Sequence, residues 1–199
     1  MCGITGIARF KNREECVEKV RVMNRHIAHR GPDADGIWTH DFCVLGHRRL
    51  SIIDTSAAGN QPFLSEDKSL VVVFNGEIYN YLELRKDLAN DHTFKTQTDT
   101  EVILAAYKKW GVDCLEHFFG MFAFALWDEK QAQLLIARDR LGVKPLYYSE
   151  TEHGFLFASE LRSILSTGWV DRRISANAAA DYLRYQTVHA PNTIIDGVH

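Results

Sequence analysis

Apolar residues return along this chain with two periods, and the period at each point names the element. From Gly3 to Phe10 small and apolar side chains predict a short strand, ended by a polar turn at Lys11 to Arg13. Val17, Val20, Met23 and Ile27 then recur at spacings of three and four, one apolar helix face, which Arg30-Gly31-Pro32-Asp33 should stop. Phe42 to Gly46 and Leu50 to Asp54 read as strands, with a loop through Gly59-Asn60-Gln61-Pro62. Leu70-Val71-Val72-Val73-Phe74 is apolar on both parities, so it should be a strand buried on both faces. Asn80 to Leu88 predicts a short helix. Thr98-Asp99-Thr100-Glu101 has capping-box form ahead of Val102-Ile103-Leu104, with Gly111 closing that helix. Met121 to Trp127, Leu134 to Arg138, Leu146 to Tyr148 and Phe155 to Ala158 alternate with polar turns, as in an antiparallel meander. Ser159 to Leu165 and Asn177 to Tyr185 predict two last helices, and His189 to His199 carries no period. Strands in both halves with helices between them imply two packed sheets under helical layers.

Composition narrows the classes. The 199 residues are 46% hydrophobic, with 23 Lys+Arg against 26 Asp+Glu, so the chain should fold around a sizeable core. A net charge of −3 gives no basic surface for nucleic acid. The apolar run from Phe118 to Trp127 is ten residues, short of the ~20 that span a bilayer, so no membrane association is expected. Arg9, Lys11 and Arg13 interrupt the N-terminus before any run of signal-peptide length, and the expected location is cytoplasmic. Cys2, Cys16, Cys43 and Cys114 are scattered without a CxxC pair, and the histidines form no HxH or HxxxH group. The expectation is neither a disulfide scaffold nor a metal site.

Position 2 carries the most chemistry. Removal of the initiator Met, which a small second residue permits, leaves Cys2 with both a thiol and a free α-amine. These titrate near ~8.5 and ~7.7–8.0, so the amine can serve as base for its own side chain without a histidine. A small residue at a frayed terminus is the plainer alternative. Asn75 and Gly76, at the end of the buried strand, can aim a side-chain amide and a backbone N–H at one oxyanion; they can equally be an Asn-Gly hairpin turn. Arg48 and Arg49 point to opposite faces if they lie on a strand, so only one can clamp a carboxylate.

Cys2-Gly3-Ile4-Thr5-Gly6 resembles the N-terminal signature of the class II glutamine amidotransferases, which are N-terminal-nucleophile hydrolases. Further blocks follow in family order: HRGPDADG from His29, LGHRRLSIID from Leu45, VFNGEIYNY from Val73, TDTE from Thr98, GMFAFALWD from Gly120, ARDRLGVKPLYY from Ala137 and FASELRSIL from Phe157. Within the class, HRRLSIID and NGEIYN look like the asparagine synthetase branch. The resemblance covers about Cys2 to Leu165.

What the resemblance implies is an α+β, four-layer αββα sandwich of two mainly antiparallel sheets. It also implies a glutaminase that cleaves L-glutamine to glutamate and ammonia through a γ-glutamyl thioester on Cys2. Asn75 and Gly76 would form the oxyanion hole, Arg49 would bind the α-carboxylate, and Asp99 the α-ammonium group. For Asp99 the competing role is helix capping beside Thr98. Leu50, Ser51, Ile52, Ile53 and Glu77 would complete the pocket. The family couples this half to an ATP-dependent synthetase domain with a Ser-Gly-Gly-x-Asp-Ser loop, and this chain has no adjacent glycines. Residues 1–168 are thus expected as the glutaminase domain and 169–199 as the linker into a synthetase domain beyond. ATP and Mg are expected only there, with no cofactor in this chain. The ammonia acceptor would be aspartate, or another carboxylate on a sugar or natural product. A homodimer and a non-catalytic, partner-binding scaffold are the further alternatives.

Overall fold

The computed structural model describes residues 1–199. In chain order the elements are β1 (Gly3–Ala8), α1 (Arg13–His26), β2 (Ala34–Thr39), β3 (Cys43–Arg49), β4 (Phe63–Leu64), β5 (Leu70–Ile78), α2 (Tyr81–Leu88), α3 (Asp99–Trp110), α4 (Cys114–His117), β6 (Gly120–Asp128), β7 (Gln133–Arg138), β8 (Tyr147–Thr151), β9 (Gly154–Ala158), α5 (Leu161–Leu165) and α6 (Ala176–Tyr185). They build two sheets, ordered β2-β3-β1-β9-β8 and β4-β5-β6-β7, and every pairing is antiparallel.

Strand parity sorts these elements into layers, because alternate side chains leave opposite faces of a sheet. On β5 the even positions Val72, Phe74 and Ile78 pack with Leu84, Leu88 and Ile103 under α2 and α3. The odd positions Val71 and Val73 meet Ile4, Leu45, Ala123 and Phe157 between the sheets. Behind the first sheet, Ile7, Val44 and Leu156 receive Val20 and Met23 of α1. The result is the αββα sandwich. Each large side chain buried in these layers contributes about 1.5–3 kcal/mol. No helix is long and apolar enough to cross a membrane.

Local signals set the helices. Asn12 caps α1 by accepting from Glu15 N at 3.2 Å, and Arg25 and His26 close its last turn, where cations favour the helix dipole. Thr98 caps α3 through Glu101 N at 3.3 Å. The second half of the expected box is absent: the Glu101 carboxylate turns to the N–H groups of Lys95 and Thr96.

Two strand expectations are corrected, and one strand is added. Leu50 to Asp54 is a loop. Both neighbours of β3 begin opposite its last residues, Gly3 across from Arg48 and Ala34 across from Arg49, so nothing remains for the chain to pair with. Ala34–Thr39 is a strand that no apolar alternation announces, since five of its six residues are half-buried and the sixth exposed. The expected meander divides between the sheets, β6 and β7 joining β5 while β8 and β9 join β1. Residues 169–199, expected as the linker into a synthetase domain, pack in part against the sandwich. Ile195 and Val198 share the core of α1, and His199 exchanges two backbone hydrogen bonds with Tyr148, 2.8 and 2.9 Å long.

Candidate active site

Cys2 precedes β1 with the parity of Ile4, so its side chain leaves toward the space between the sheets. Its Sγ accepts from Leu50 N at 3.4 Å and lies 3.5 Å from Leu50 O. Burial pushes the thiol up from its ordinary value, opposed by the Leu50 bond, the N-terminal charge and Arg49. The terminus is fixed from behind. Arg30 Nε donates to the Cys2 carbonyl at 2.9 Å, and Arg30 Nη1 pairs with Glu160 at 3.1 Å. Gly3 lets β1 pack closely here, since a Cβ would stand 2.7 Å from Ile27 Cδ1 and displace that side chain.

Asn75 and Gly76 are not a turn. β5 continues through them to Ile78, pairing Asn75 with Ala123 and Gly76 with Phe122. Asn75 has the parity of Val73, hence of the face toward Cys2, and its Nδ2 is buried without a hydrogen-bond partner. An orphaned amide donor in a native interior demands an explanation. Gly76 admits no side chain, since a Cβ would meet Met121 O at 2.4 Å. The backbone alternation is equally informative. Phe74 N–H is taken by Gln61 Oε1 at 2.6 Å and Ile78 N–H by Asp99 Oδ2 at 3.0 Å. The N–H of Gly76, between them on the same side of the strand, therefore points into the cleft they border.

That cleft encloses about 60 Å³, and Cys2, Arg49, Gly59, Phe74, Gly76 and Asp99 are among its walls. Leu50, Ile52 and Ile53 also line it, whereas Ser51, Asn75 and Glu77 do not. Ser51 N instead donates to Asp33 at 2.8 Å, and Glu77 is exposed. Arg49 faces the cleft, while Arg48 turns to the α1 side and donates to Asn24 O at 3.2 Å. The Arg49 guanidinium holds the 50–60 loop: Nη1 donates to Ser56 O at 2.7 Å and Asn60 Oδ1 at 2.8 Å, and Nη2 to Asp54 O. Gly59 packs so closely that a Cβ would lie 2.3 Å from Nη2. Asp99 is the first residue of α3, not its cap; burial, with Glu77 nearby, pushes its carboxyl up to about 6 against its backbone bonds.

Three participants escaped the sequence reading. Arg30 and Gln61 act on backbone atoms of other segments and Glu160 on the Arg30 side chain, relations that spacing does not encode; the glycine of Gly59-Asn60-Gln61-Pro62 was the available clue to Gln61. No group of three His, Cys, Asp or Glu side chains is placed to hold a metal ion.

A model of the glutamine amidotransferase domain family matches residues 1–199. The chain belongs to that family. The amidotransferase domain is 43% identical to a protein of Methanocaldococcus jannaschii named putative asparagine synthetase [glutamine-hydrolyzing] 2, over 96% of this chain and 40% of the relative. It is 42% identical to asparagine synthetase B [glutamine-hydrolyzing] of Escherichia coli, over 92% of this chain and 33% of that protein. The chain thus spans less than half the length of these curated relatives. Among solved structures, glutamine phosphoribosylpyrophosphate amidotransferase from B. subtilis shares the fold, with a TM-score of 0.68 at 22% identity over 84% of this chain and 44% of the other.

Proposed function

We propose that this domain hydrolyses L-glutamine and is the ammonia-producing half of a glutamine-dependent asparagine synthetase. The observation that carries the reading is the pair of free donors on β5. The buried Nδ2 of Asn75 and the cleft-facing N–H of Gly76 lie on the sheet opposite the one that Cys2 precedes, and Gly76 and Cys2 border the same cleft. Once Met1 is removed, the Cys2 amine takes the thiol proton as Sγ attacks the side-chain amide carbon of glutamine. The oxyanion that forms is held by the two donors, which lie in a rigid and nearly dry setting where such bonds count most. Collapse breaks the C–N bond, the amine returns its proton to the departing nitrogen, and ammonia leaves. Water then cleaves the thioester, giving glutamate and the thiol. Asp99 faces the substrate ammonium group, and Arg49 supplies the cationic end of the cleft for its carboxylate.

ATP-dependent amidation of aspartate belongs to a synthetase segment that this chain does not contain; the names and lengths of the relatives support that division. Amide cleavage by this route asks for no nucleotide. The domain alone should release glutamate from L-glutamine with Mg-ATP omitted, and Cys2→Ala should abolish release while leaving the thermal melt unchanged. Ammonia release from Cys2→Ala at the wild-type rate would refute the mechanism. A mass that retains Met1 should accompany loss of activity, because the amine is then tied up as an amide.

A further inference from the structure

Lys144, in the turn between β7 and β8, is the one lysine buried in this protein, with 6% of its surface exposed. The turn is built to hold it. Asp139 accepts from the N–H groups of Val143 and Lys144 at 2.8 and 2.9 Å, and Arg138 Nε donates to the Lys144 carbonyl at 2.7 Å. A buried ammonium ordinarily demands a carboxylate. Lys144 makes no ion pair, and the polar atom its Nζ reaches is Met1 Sδ, at 3.5 Å. That sulfur belongs to the residue whose departure exposes the Cys2 amine.

Resting on the reading of Cys2 as an N-terminal nucleophile, we infer that Lys144 is a positioning residue: its ammonium, acting across the space Met1 leaves, keeps the Cys2 amine unprotonated and able to accept the thiol proton. Five bonds separate Met1 Sδ from Cys2 N, so the two nitrogens lie within about 10 Å. At that range in a partly buried site, one cation disfavours a second. Other charges face the terminus as well: Glu160, beyond β9, is shared by Arg30, His29 and Arg162, while Arg49 from β3 and Asp99 from α3 act on Cys2 with opposite signs. None of these carboxylates pairs with Lys144, whose Nζ turns to Met1 instead.

The test is the pH dependence of kcat for glutamine hydrolysis in wild type, Lys144→Met and Lys144→Arg, with Met1 removal verified by mass. The readout is kcat because the acidic limb of kcat/KM also carries the protonation of Asp99 in the free enzyme. In Lys144→Met the acidic limb should move up by about one pH unit, roughly a tenfold loss near pH 6, and meet wild type above about pH 9. Lys144→Arg should keep the wild-type limb. A purely structural role would depress kcat at every pH and leave the limb in place. An unmoved limb in Lys144→Met, or an equal shift in Lys144→Arg, overturns the assignment; Lys144→Gln takes the place of Lys144→Met if that variant does not fold. Wild type that releases no ammonia from glutamine at any pH overturns the proposed function and this inference with it. Normal turnover with an unmoved limb overturns the inference alone.

Discussion

The two sides of the cleft are made by opposite means. On the β5 side, Asn75 and Gly76 sit inside a nine-residue strand paired at every position with β6, and their donors are left unused. On the β3 side, the Arg49 guanidinium is already committed to two carbonyls and an Asn side chain of the 50–60 loop. One side is preformed and waiting; the other is closed on itself. On the proposed reading, the reaction would fall to the strand side and the positioning of substrate to the loop side.

Variants that touch one side and spare the other should separate the two roles. Removing a donor on the rigid side has the larger effect: Asn75→Ala should lower kcat by ~10²–10³ with little change in KM, as when one oxyanion donor is lost. Steady-state kinetics of that variant decide it, and a change confined to KM would move Asn75 from the reacting carbon to the substrate's far end. On the loop side, Arg49→Lys replaces a planar fork by a point charge. KM should rise about tenfold with kcat nearly kept, since the lost contacts bind ground state and transition state alike. Limited proteolysis should cut the variant faster between residues 50 and 60.

The smallest expected effect is one of pH. Asp99 is raised to about 6, so its carboxylate is protonated as pH falls below that value, and the proposed clamp on the substrate ammonium would then be lost. kcat/KM for glutamine should therefore fall as pH drops from 7 to 5, up to tenfold per unit once below about 6. kcat should change less, because bound substrate keeps Asp99 ionised. Asp99→Asn should weaken binding at every pH and flatten that limb. A wild-type limb surviving in Asp99→Asn would assign it to another group.

Much of this arrangement was legible before any coordinates. The double-parity apolar run of β5, the cap at Thr98 and the alternation that separates Arg48 from Arg49 are local facts, and local facts survive folding. Partner choice is not local. Four strands with turns between them predicted a meander, yet β7 and β8 part company because the segment from Asp139 to Lys144 crosses from one sheet to the other. The Asn75-Gly76 pair shows the same limit at smaller scale. The dipeptide that most favours a hairpin turn lies mid-strand here, because nine consecutive β6 pairings outweigh a two-residue preference. Arg30 and Lys144 stayed silent because each acts on the chain terminus, more than 25 residues away in sequence for one and more than 140 for the other.

The last residues of the chain have a practical bearing on how the domain behaves once isolated. β8 is the outermost strand of its sheet, and the bonds from Tyr148 to His199, with Ser149 Oγ to Gly197 O at 2.7 Å, shield part of its open hydrogen-bonding flank. A bare flank of this kind is a template on which a second chain can add a strand. Cutting the protein at residue 168, the expected end of the glutaminase domain, would uncover that template and strip Ile195 and Val198 from the α1 core. Self-association, rather than loss of the nucleophile, would then be the first symptom of an overly short domain.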